Sequence, residues 1–127
     1  MKKSLVIAAA VVSLERMIRE IRLANTIASA SVFNAHPGHL ILTTIDQNGD
    51  PATIEFYLSN DTLMIKEGVA MAASSTPASI RADNLVFRQI NTSHSKAVRV
   101  ELTLTDYRSH TPRSEKFYAL AVLRGSY

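Results

Sequence analysis

The sequence predicts an α+β domain in which one long N-terminal α-helix packs on an antiparallel β-sheet. Three observations carry that expectation. Apolar residues near the N-terminus recur at alternating steps of four and three, and from Leu40 onward the period changes to two. Between the alternating runs stand turn signals such as Asp46-Gln47-Asn48-Gly49-Asp50-Pro51 and Ser59-Asn60-Asp61. A helical stretch followed by strands on short turns places the strands antiparallel.

The helix is expected within residues 1–28. Ile7, Val11, Leu14, Ile18 and Ile21 fall on one face, the expected packing and assembly stripe. Glu15, Arg16, Arg19, Glu20 and Arg22 cover the rest, with Glu15 and Arg19 in the favourable order for a helical ion pair. Asn25-Thr26 and Ser29-Ala30-Ser31 weaken the helix signal, and His36-Pro37-Gly38 closes the connection. The β body is expected over residues 38–127. Six strands are read there, at 40–45, 53–58, 63–66, 85–90, 98–104 and 117–123. Val98, Val100, Leu102 and Leu104 alternate with Arg99, Glu101 and Thr103, the cleanest half-buried pattern in the chain. Residues 67–77 read as an irregular loop with a short strand near 69–72, and 107–114 as a loop.

The chain has 127 residues, enough for one domain spanning 1–127, and its 46% hydrophobic content supports a real core. The net charge of +3 is weak and mixed, which argues against a nucleic-acid partner. There is no cysteine, which excludes disulfides, cysteine-ligated zinc and cysteine nucleophiles. Met1-Lys2-Lys3 and the apolar run Leu5–Val12 look like the start of a secretory signal. The run is short, however, and no small-residue cleavage site follows at the right distance. It is also far shorter than the roughly 20 apolar residues of a membrane-spanning helix.

No residue set stands out as catalytic. Asp46-x-Asn48-x-Asp50 matches the first three ligand spacings of a calcium loop, but the twelfth position is Tyr57 rather than a bidentate glutamate. The plainer reading is a hairpin turn. His36 and His39 flank Pro-Gly without a nearby third ligand, and His94 and His110 sit in polar turns, so no metal or cofactor is assigned. Glu55 and Glu101 alternate with apolar neighbours and are expected to face solvent. No serine lies in a Gly-x-Ser-x-Gly elbow, and phosphate-binding glycine loops are absent. Arg16, Arg19 and Arg22 would form a basic ridge, and these are the candidate interface charges. They could meet phosphates, headgroups or acidic residues of a neighbouring subunit, against the plainer reading of a solvated face.

The run Leu14-Glu15-Arg16-Met17-Ile18-Arg19-Glu20-Ile21-Arg22-Leu23-Ala24-Asn25-Thr26-Ile27, a following strand and then Thr44–Pro51 resemble minor pseudopilins and minor type IV pilins. The J-type minor pseudopilins of type II secretion are the nearest likeness. Phe56–Met64 and the ending Phe117–Tyr127 fit the same pattern. The resemblance implies a pilin-like fold and a non-enzymatic subunit of a type II secretion or type IV pilus-like filament. Its partners would be other pilins or pseudopilins, met through the helix. The native form would be periplasmic and anchored in the inner membrane. The prepilin processing site and the long apolar helix half of that family are missing, so the chain as written would be a soluble piece of such a protein. The alternative is a flavin-binding split barrel of the pyridoxamine-phosphate-oxidase type. His39–Pro51 and Asn60-Asp61-Thr62-Leu63 look like that fold's opening hairpins.

Overall fold

The computed structural model describes residues 2–77, 79–108 and 111–123, with side chains from residue 6 onward. His110 and the tail 124–127 lie outside the described residues. The expectation of a pilin-like α+β fold, with a long helix laid on one antiparallel sheet, is overturned. Among the described residues the fold is mostly β, with eight strands in two antiparallel sheets and one helix.

Helix α1 spans Lys2–Leu23. It stops five residues short of the expected limit at residue 28 because the chain is captured by a strand. The Asn25 amide donates to the Thr43 carbonyl at 2.8 Å, and Thr26 and Ile27 form β1 against Thr43 and Leu42 of β2 (Leu40–Ile45). β-branched residues pack well in a pleated pair and lose rotamer freedom in a helix. From β2 the chain meanders through β3 (Pro51–Ser59) and β4 (Thr62–Glu67) to the two-residue β5 (Ala73–Ser74). These strands make the first sheet, in the order β1-β2-β3-β4-β5.

The second sheet is β6 (Ile80–Asn91), β7 (Lys96–Asp106) and β8 (Arg113–Val122), paired in sequence order. β6 starts five residues before the expected Leu85. A bulge between Ala82 and Asn84 breaks the alternation there, so the period-two signal is lost although the pairing continues.

The turns follow their chemistry. Ser59 pairs with Thr62, and the two residues between them, Asn60 and Asp61, both have positive φ, at 51° and 61°. This is the backbone that a two-residue hairpin of matching twist requires. In the β2–β3 turn the Asp46 carboxylate accepts from the Asn48 and Asp50 amides, at 2.9 and 3.0 Å, with Gly49 at φ 81°. The residues of the calcium-like spacing are therefore spent on a turn. Among the described residues no group of three potential metal ligands comes together.

The core is continuous. Val6, Ala10, Leu14, Met17 and Ile21 of α1 pack with Leu40, Leu42 and Phe56 of the first sheet and with Phe87, Val100, Leu102 and Ala121 of the second. The helix rests chiefly on β8 and β7. Its packed face is rotated from the expected stripe. Leu14 and Ile21 are buried and Ile18 is half-buried, whereas Ile7 and Val11 face outward. Ala9, Ala10, Ser13 and Ala24 take the inner positions. Small side chains let the helix axis approach the sheet closely, and that advantage outweighs the pull of larger aliphatics on the neighbouring face.

Candidate assembly surface

The rotation of α1 creates an exposed apolar face. Ile7, Val11 and Val12 are 40%, 46% and 62% exposed, on a helix whose opposite side is already sealed into the core. Further along the same outward side the chemistry becomes charged. Glu15, Arg19 and Arg22 are exposed, and Leu23 closes the stretch. Among the described side chains the outward face is thus apolar from Ile7 to Val12 and mainly basic from Glu15 to Arg22.

The three candidate arginines divide. Arg16 turns back into the molecule. Its Nε donates to Glu20 at 2.9 Å, and its second guanidinium nitrogen bonds Glu67 of β4. Burial works against the Arg16 charge, but bonding to Glu67 and Glu20 outweighs it and raises the pKa above its ordinary value. This residue ties α1 to the first sheet and is not a free interface charge. Arg19 and Arg22 make no ion pair among the described residues. The helical pair that forms is Arg16–Glu20 rather than the expected Glu15–Arg19.

Beside the basic half lies an open groove of about 700 Å³. Arg16, Arg19, Glu20 and Leu23 of α1 form one wall, Thr44, Ile45 and Asp46 the other, and Glu67 and Gly68 the end. Ile45 is itself exposed, so Leu23 and Ile45 give the groove an apolar rim.

Polar contacts elsewhere link strands, loops and helix. His39 Nε2 lies 2.8 Å from Glu55, and its ring stacks on Tyr57 with centroids 5.1 Å apart. The expectation that Glu55 faces solvent is corrected: its carboxylate is hydrogen-bonded to His39, the residue just before β2. No serine or threonine hydroxyl joins that pair among the described residues. Glu101 is held by Arg88, with Arg99 3.9 Å away. Hydrogen bonding from Arg88 keeps the Glu101 carboxyl below its usual range. His36 Nδ1 accepts from the Leu85 amide at 2.9 Å and so pins the loop to β6. Ser13 and Ser75 bond each other at 2.8 Å across the helix–sheet junction. Ser93 and Lys96 stand at Ser-x-x-Lys spacing, which sequence reasoning missed. Ser93 falls in the exposed β6–β7 turn and Lys96 opens β7, and both are exposed.

Sequence reasoning also missed Val12, Leu23 and Glu67. The available signal was the alternative stripe Val6-Ala10-Ser13-Met17-Ala24, whose small residues mark a close-packed face and leave Val12 outside. No described helix is long and apolar enough to cross a membrane. No protein-family model, no curated protein and no solved structure matches this chain.

Proposed function

We propose that this chain is a non-enzymatic assembly subunit of a type II secretion or type IV pilus-like filament, serving as minor pseudopilins do. The observation that carries the reading is the outward apolar face of α1, Ile7, Val11 and Val12, on a helix that needs no further packing for its own fold. Contiguous exposed apolar surface on a small domain marks an interaction site. Arg19 and Arg22, without ion-pair partners among the described residues, extend that face with charge suited to acidic residues on a neighbouring helix. The resemblance of residues 14–27 and 44–51 to minor pseudopilins names the class of partner, other pilins or pseudopilins. The same reading puts the protein in the periplasm, with the native form held at the inner membrane.

The test is a pair of substitutions on the outward face, Val11→Asp with Val12→Asp. The double variant is expected to keep the melting temperature within a few degrees and to lose co-purification with co-expressed sister pilins. Unchanged co-purification would count against α1 as the docking surface.

A further inference from the structure

We infer that β8 pairs edge-to-edge with the β8 of a second copy of this chain, so that two three-stranded sheets become one continuous sheet. The inference is independent of what α1 docks against.

Among the described residues, three of the four sheet edges are closed or too short to template a strand. β1 and β5, the edges of the first sheet, are two residues each. The outer edge of β6 is occupied: the Asn34 and Gly38 amides donate to the Phe87 and Leu85 carbonyls, each at 2.8 Å, and the Ala82 amide donates to Asp61 at 2.7 Å. β8 is different. It runs ten residues with no break in register against β7, carries no proline or bulge, and pairs with β7 alone among the described residues. Such devices ordinarily blunt a long edge; the outward row of β8 carries a single charge, Lys116, and is apolar beyond it.

The phase of the strand fixes what the edge offers. The Leu123 amide donates to the Lys96 carbonyl at 2.9 Å, so odd-numbered residues of β8 turn their amides toward β7. Lys116, Tyr118, Leu120 and Val122 therefore turn theirs outward. The same residues carry the exposed side chains, with Tyr118 58% and Leu120 55% open to solvent. Phe117, Ala119 and Ala121 face the core beneath α1.

The row is self-complementary, which argues for a copy as the occupant. In a two-fold antiparallel pairing centred on Leu120, Leu120 meets its own equivalent and Tyr118 meets Val122 of the partner subunit. Each outward amide then has an outward carbonyl opposite, for about six main-chain hydrogen bonds. Registers slid toward the strand's start bring Lys116 against Val122, Leu120 or Tyr118 and put a charge in the apolar row. The interface is small, below roughly 1,200 Å², so the dimer is weak and concentration-dependent.

Because the chain has no cysteine, a single Leu120→Cys variant can form a disulfide only with a second copy. Hydrogen-bonded antiparallel pairs stand about 5.5 Å apart at Cα, within disulfide reach. Under mild oxidation Leu120→Cys is expected to dimerise at least tenfold faster than Asn48→Cys in the exposed β2–β3 turn. Sedimentation of the native chain should show dimer growing with concentration, and Leu120→Lys, with its melting temperature retained, should sediment as monomer. A native chain that stays monomeric to millimolar concentration would overturn the inference. So would equal oxidation rates at the two cysteines, or a dimer that survives Leu120→Lys.

Discussion

Met17 and Arg19 stand two residues apart on α1 and have opposite fates. Met17 is fully buried in the core, and Arg19 is exposed. Met17→Ala is expected to cost about 2–5 kcal/mol, the transfer term plus the cavity left behind. Arg19→Ala should stay within about 0.5 kcal/mol. Thermal or urea unfolding of the two variants checks this, and comparable losses would contradict the helix orientation. A second residue-scale expectation concerns acid. Glu101 has its carboxyl pKa lowered in the folded protein by the Arg88 hydrogen bond, so the unfolded chain binds that proton more readily. The contribution is present above the unfolded value, about 4.3, and is lost as pH falls through the lower folded value. Glu101→Gln should flatten stability against pH across that window and leave the neutral-pH slope unchanged. An identical acid limb for both proteins would show that Glu101 contributes nothing to it.

At the scale of elements, the loop before β2 is fixed by steric fit. The His36–Pro37 peptide is cis, and Gly38 lies buried against β6. A Cβ on Gly38 would stand 2.8 Å from a ring carbon of Phe87 and 3.0 Å from the Leu85 carbonyl oxygen. Both neighbours belong to a packed strand, so Gly38→Ala should destabilise by about 1–3 kcal/mol, as overpacking does. A melting curve matching the native one would show that Phe87 can give way. The strands and turns were the legible part of this level. The Asn48-Gly49 and Asn60-Asp61 turns and the alternation from Val98 to Leu104 appear where the residues place them, because local chemistry decides them. Less legible were β1, hidden in a weakening helix signal and formed only by pairing with β2, and the start of β6, masked by the bulge at Asp83. The rotation of α1 was the costliest misreading. Periodicity finds an apolar face but does not weigh close approach through Ala9, Ala10 and Ser13 against the size of Ile7 and Val11.

At the scale of the whole molecule, two sheets rather than one follow from where the chain turns. Ser59 to Thr62 closes one hairpin, Asn91 to Lys96 closes another, and the two-residue β5 ends the first sheet before β6 begins the second. No periodicity in the sequence reports that division, because both sheets alternate in the same way. The candidate surface was half legible for the same reason. Its arginines were visible, but which of them turn inward depends on Glu67, 51 residues away from Arg16. The alternative of a flavin-binding split barrel keeps a simple test. The purified protein is expected to be colourless, and a flavin absorption band would restore that alternative. The central claim is that the outward face of α1 is made for other subunits, and photocrosslinking in cells tests it most directly. A photoreactive residue at Ile7 or Val12 is expected to give adducts with pilin or pseudopilin subunits, and one at Val6 or Ala10 none. Adducts from the inward positions alone, or none from Ile7 and Val12 under any assembly condition, would contradict it.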